Sequence, residues 1–189
     1  DRLFVTHLHS DHTAGYPDLI LTPWAVGRKQ VLEVYGPPGL ARMTGHVLEA
    51  WSEDLHVRLR GRAPGAPNGY AVEAHEVQPG LVYEDGIVKV TAFEVDHGDW
   101  EHAYGYRFEA ADRTIVISGD TTATQSVVDA CAGCDVLVHE VYSATRLSLG
   151  PPAWQAYHRS YHTSTLQLAS IAREARPGLL VLYHQLLWG

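Results

Sequence analysis

The chain has 189 residues, a formal net charge of −8, 46% hydrophobic and 19% charged residues, and two cysteines. That length can enclose a sizeable core, and no run of about eighteen apolar residues offers a membrane-spanning helix. The acidic balance argues against a broad basic face for gripping nucleic acid, and no secretory signal is visible.

Strand-like runs fall at 2–6, 31–35, 70–77, 81–83, 87–95, 103–109, 114–118, 136–140 and 179–183. The first begins almost at the N-terminus. A short buried strand needs neighbours on both sides, so preceding strands are expected to be missing. Leu40, Met43, Val47, Leu48 and Trp51 mark a helix face after Gly36-Pro37-Pro38. Arg58, Arg60 and Arg62 alternate through a stretch that reads as a solvated strand edge or loop. Residues 61–69 form a loop too short to link domains. Asp85-Gly86 is expected to supply positive φ in a hairpin turn, and residues 109–113 read as a second hairpin. Val127, Val128 and Cys131 mark another helix, with Gly133 as its stop. Cys131 and Cys134 are expected to be a helix end without redox or metal function, since one C-x-x-C cannot close a tetrahedral site. Such sparse cysteine suits a reducing compartment. Ser164-x-x-Gln167 forms a capping box for a helix whose face is Leu168, Ile171, Ala172 and Ala175, stopped by Pro177-Gly178. One mixed α/β domain over 1–189 is the economical reading.

Several strand ends carry residues with metal or proton chemistry: His7, His97, Asp120, His139, Glu140 and His184. Strand ends meeting at one sheet edge make a rigid cup for a site. The densest group is His7-Leu8-His9-Ser10-Asp11-His12. Imidazole and carboxylate ligands suit zinc and similar metals. Four potential ligands in six residues exceed the usual three of one open catalytic zinc, so the spacing argues for two metals.

At this point the sequence resembles the metallo-β-lactamase superfamily, through the H-x-H-x-D-H pattern of His7 to His12. Tyr35-Gly36-Pro37-Pro38-Gly39-Leu40, Asp96-His97-Gly98, Ala103-Tyr104-Gly105-Tyr106-Arg107, Ser118-Gly119-Asp120-Thr121, His139-Glu140, His162-Thr163-Ser164 and His184 are similar to the branch containing ribonuclease Z and related arylsulfatases and phosphodiesterases. The resemblance implies an αββα sandwich lacking its N-terminal strands. It implies that His7, His9 and His97 hold one divalent metal, that Asp11, His12 and His184 hold a second, and that Asp120 bridges them; Asp11 counts as catalytic as well as a ligand. Zinc is the first choice, with manganese and iron as alternatives. A hydroxide between the metals would attack a phosphodiester. His162 resembles the proton donor to the leaving group, with Glu140 either orienting it or buried behind a ligand. His139 has no assigned role, and His46, His56, His75, His102 and His158 read as surface or packing residues.

Two features depart from true ribonuclease Z. His97 and Asp120 are 23 positions apart, which leaves no room for the inserted arm of transfer-RNA-processing members. The C-terminal run His184-Gln185-Leu186-Leu187-Trp188 is not the usual His-Phe-Ser. Both favour a small phosphodiester or another small ester, such as an aryl sulfate or lactone, with RNA still open. A cytoplasmic, membrane-free hydrolase is expected, with a homodimer as a further candidate assembly.

Overall fold

The computed structural model describes residues 1–61 and 66–188. Arg62, the last arginine of the alternating run, lies outside the described residues. The chain divides into two compact units, Asp1–Val77 and Gln78–Gly189.

The first unit runs β1 (Arg2–Phe4), α1 (Ser10–Thr13), α2 (Tyr16–Ala25), β2 (Leu32–Gly36), α3 (Leu40–Ala50), α4 (Ser52–Arg60) and β3 (Val72–Glu76). Its three strands are parallel in the order β1-β2-β3, with Leu3 beside Val34 and Val34 beside Ala74. Among the described residues β1 pairs with β2 alone, rather than on both sides. Parallel strands need crossover connections, and α2 and α3 supply apolar faces for them. Tyr16, Ile20, Leu32, Val34 and Leu40 form the buried core, with Met43, Val47 and Leu48 against it. Trp51 departs from the expected face: it caps α3 and is exposed.

The arginine run also departs from expectation. Arg58 and Arg60 lie in helix α4, and Arg58 pairs with Asp54 one turn earlier at 2.8 Å. Residues two apart on a helix point in different directions, so the alternation makes no common basic strip.

The second unit is a six-stranded sheet in the order β4-β5-β6-β7-β8-β9. The strands are Gly80–Glu84, Val88–Glu94, Tyr104–Ala110, Arg113–Ile117, Val136–Tyr142 and Leu179–Leu186. β4 to β7 are antiparallel, whereas β7, β8 and β9 run parallel. Helix α5 (Gln125–Cys131) makes the crossover from β7 to β8. Helices α6 (Ala144–Leu147), α7 (Pro152–Tyr161) and α8 (Thr165–Ala175) lie between β8 and β9. Val116, Val127, Leu137, Val141, Leu168 and Ile171 fill the core. The capping box at Ser164 forms as read, with Ser164 Oγ accepting from the Gln167 N–H.

Both hairpins form, but the first closes differently. Gly86 is not among the residues with positive φ. Instead Asp85 Oδ1 accepts the backbone N–H groups of Ile87 and Val88 at 2.7 and 2.8 Å, an aspartate holding its own turn. The cysteines do mark a helix end, with α5 stopping at buried Cys131, but the bond between them was not expected from the sequence. Cys131 and Cys134 are joined by a disulfide. Ala132 and Gly133 both take positive φ after α5 ends, which swings the chain back and brings Cys134 to Cys131. Both sulfurs are buried in the core.

Candidate metal centre

In the first unit, β1 delivers the chain to His7, and His9 caps α1, which carries Asp11 and His12. The His9 carbonyl accepts the Thr13 hydroxyl at 2.9 Å, fixing the start of this short helix. His7 is fully buried, and its Nδ1 lies 3.1 Å from Thr6 Oγ1. His7 Nε2 lies 3.0 Å from His9 Nδ1, and the His7 and His12 rings are 4.3 Å apart. Two nitrogens on one tetrahedral zinc, each about 2.0–2.1 Å from it, sit roughly 3.3 Å from each other. The His7–His9 spacing therefore fits a shared ion, and imidazole with a nearby carboxylate is a fitting donor set. Asp11 is the exposed member, and its carboxylate is 3.6 Å from His12 Nε2.

In the second unit the parallel strands β7, β8 and β9 bring Asp120, Glu140 and His184 to one end of the sheet. Gly119 turns the chain out of β7 at a φ of 66°, and Asp120 follows, almost wholly buried. His184 belongs to β9 rather than following it. The β8–β9 register slips there, since Tyr183 faces Glu140 while Gln185 faces Val141. His184 is thus the bulged residue, with a φ of 42°. Such a bulge re-aims a side chain at a local backbone cost. His184 Nε2 lies 3.5 Å from Asp120 Oδ2.

His97 enters from the segment after β5 and is buried. Its Nδ1 is 2.8 Å from the backbone oxygen of Tyr161. A carbonyl can only accept, so Nδ1 carries the proton and Nε2 keeps its lone pair for a metal. Ligand atoms of His97, Asp120 and His162 lie within 4.8 Å of one another, as do those of Glu140, His162 and His184. The second unit therefore gathers all five of its expected site residues.

Glu140 is the centre of this cluster. Its Oε1 is 3.2 Å from His162 Nδ1 and accepts the N–H groups of Thr121 and Thr163 at 3.2 and 3.1 Å. Burial pushes the Glu140 carboxyl above the usual range, while the His162 contact pulls it back. Burial likewise lowers His139, whose Nδ1 is 2.6 Å from the Glu140 carbonyl.

Sequence reasoning included Thr121 and Thr163 in family-like runs without giving them a role, because they act through backbone N–H groups, and it did not single out Tyr161 at all. The position of Tyr161 next to His162 is the one available hint. His158, read as packing, sits between Trp154, Tyr157 and Trp188, with ring centroids 5.2, 5.1 and 4.6 Å away.

Comparison with known proteins agrees with the sequence resemblance. A family model described as "Beta-lactamase superfamily domain" matches residues 1–185. A ribonuclease Z of Mycobacterium sp. (strain KMS) is 34% identical over 186 residues, covering 97% of this chain and 65% of the relative. The chain thus spans less than two thirds of that protein's length. A putative ribonuclease Z of Mycobacterium tuberculosis (strain CDC 1551 / Oshkosh) is 30% identical, covering 96% of this chain and 82% of the relative. Among solved structures, human tRNase Z, short form, superposes with a TM-score of 0.73 at 22% identity, covering 98% of this chain and 75% of that one. The last likeness bears on the fold, and it supports the metallo-β-lactamase type expected from the motifs.

Proposed function

The chain belongs to the β-lactamase superfamily, and from that premise we propose that it is a dinuclear, ribonuclease Z-like phosphodiesterase. His7, His9 and His97 would hold one divalent ion, Asp11, His12 and His184 a second, with Asp120 shared between them. Zinc is the ion proposed, and 1–189 is treated as one hydrolase domain. The observation that carries the reading is the 3.0 Å approach of His7 Nε2 to His9 Nδ1, which suits a common ion. When bound, the ions supply a water deprotonated near neutral pH and positive charge for the ester oxygens.

The remaining work belongs to the chain. Glu140 holds His162 Nδ1 and stabilises the protonated ring, so His162 Nε2 can give a proton to the leaving oxygen. The Thr121 and Thr163 N–H groups fix the Glu140 carboxylate, so the proton donor is aimed before substrate arrives.

The names of the mycobacterial relatives favour a phosphodiester over an aryl sulfate or lactone. Between phosphodiesters, two features favour a small one over precursor transfer RNA. The net charge is −8, and the residues between His97 and Asp120 are largely occupied by the β6–β7 hairpin. Among the described residues no helix is long and apolar enough to cross a membrane, and a cytoplasmic location is part of the same proposal, as is a homodimer.

The test is kcat/KM of the full-length protein for bis-p-nitrophenyl phosphate and for a precursor transfer RNA at two salt concentrations, with p-nitrophenyl sulfate as a third substrate. Faster phosphodiester turnover with weak salt dependence is expected. Efficient, salt-sensitive cleavage at the acceptor-stem 3′ side would move the assignment to RNA, and activity confined to the sulfate would reject both.

A further inference from the structure

Tyr161 ends helix α7 and touches three consecutive residues of the segment that presents His97. Its backbone oxygen accepts His97 Nδ1–H at 2.8 Å. Its ring lies over Gly98, where a Cβ would come within 2.4 Å of the ring carbons. Its hydroxyl donates to Asp99 Oδ2 at 2.9 Å and accepts the Asp99 N–H at 3.4 Å. Gly98 takes a φ of 58°, and the Trp100 N–H bonds back to the His97 carbonyl at 3.1 Å. The His97 and Tyr161 rings meet edge to face, 5.2 Å apart.

These contacts have a common effect. The carbonyl sets the His97 tautomer, but a carbonyl orients a ring only if it is itself held in place. The hydroxyl–Asp99 pair holds the far end of Tyr161, and the ring over Gly98 holds the middle. The next residue, His162, is the one paired with Glu140. One helix end therefore fixes a candidate metal ligand and a candidate proton donor together.

We infer that Tyr161 is a positioning residue. Its hydroxyl, clasped to Asp99, fixes the orientation of His97 for a metal ion and keeps that ligand in register with His162. The inference rests on the proposed metal-dependent function. It adds a role for two residues, Tyr161 and Asp99, that contribute no metal ligand under that proposal.

The test is a double-mutant cycle on the full-length protein: Tyr161→Phe, Asp99→Ala and the combination. Zinc affinity is read by competition with a chromophoric chelator, and melting temperature is measured on the metal-free forms. Tyr161→Phe keeps the ring and the carbonyl, so only the clasp is lost. Each single change is expected to weaken zinc binding about tenfold, as removal of an outer partner of a ligand does. The double change should weaken it no further, because both remove the same pair. The metal-free melting temperature should stay within about 2 °C of the parent, because the hydrogen bond removed is an exposed one. Single variants within twofold of the parent, additive losses, or losses matched by a collapse of the metal-free protein would each overturn the inference. A parent that binds zinc while the variants are unaffected rejects the clasp alone. A parent that binds no divalent metal rejects the functional reading and the clasp with it.

Discussion

Glu140 Oε1 lies 3.2 Å from His162 Nδ1. The same oxygen accepts two backbone N–H groups, from Thr121 and Thr163. The carboxylate is thus fixed from three directions, and as an acceptor it keeps a proton on His162 Nδ1, which leaves Nε2 as the position from which the doubly protonated ring would give one up.

That pairing makes the role of His162 testable. For a phosphodiester with a poor leaving group, His162→Ala is expected to slow turnover by about two to four orders of magnitude. For p-nitrophenolate, which departs without protonation, the loss should be much smaller. Glu140→Gln should show the same split, less steeply, because an amide still holds the ring but cannot stabilise its charge. Equal losses for both leaving groups would show that His162 serves another purpose, such as metal binding.

Gly105 bears on stability rather than chemistry. It faces Phe93 directly across the β5–β6 ladder, and a Cβ at Gly105 would lie 2.2 Å from the Phe93 ring. Gly105→Ala should therefore destabilise the fold by about 1–3 kcal/mol through overpacking. Combined with Phe93→Ala, it should cost less than the sum of the two changes, since the clash disappears with the ring. Urea unfolding of the parent and the three variants measures this, and simple additivity would contradict the contact.

His158 makes stability depend on pH. Burial, with the nearby His162 charge as a second cause, pushes its ring from an ordinary 6.5 down to about 4. The unfolded chain then binds a proton at higher pH than the folded one. The stabilisation is complete above about 6.5 and is lost as the pH falls towards about 4. His158→Phe keeps an aromatic ring among Trp154, Tyr157 and Trp188 and removes the proton site. Its urea midpoint should fall less than the parent's between pH 7 and pH 4. An unchanged pH profile would mean that His158 is protonated in the folded state too.

Much of this arrangement could be read before any coordinates, because it rests on local signals. The Ser164 capping box, the turn around Asp85 and the histidines from His7 to His12 each declare themselves within a few residues. Helix α2 did not, because Pro23 lies inside it and is usually read as a break, whereas Pro17 sits in the first turn, where proline is tolerated. Helix α4 was hidden by arginine alternation that mimics a strand, although the Asp54–Arg58 spacing is helical. The disulfide depends on two consecutive left-handed residues, Ala132 and Gly133, and alanine gives no sign of that conformation. Tyr161 and His158 owe their importance to what packs on them, and pattern reading has no access to that.

The central claim is that two metal ions serve the site. Its most direct test is the metal content of the full-length protein after loading with zinc and removal of excess. Ion content per chain is then compared between the parent and the His7→Ala and His184→Ala variants. About two equivalents are expected in the parent and about one in each variant, with phosphodiester hydrolysis lost alongside. A parent that hydrolyses phosphodiesters with one equivalent or none, or a variant that keeps two, would contradict the account.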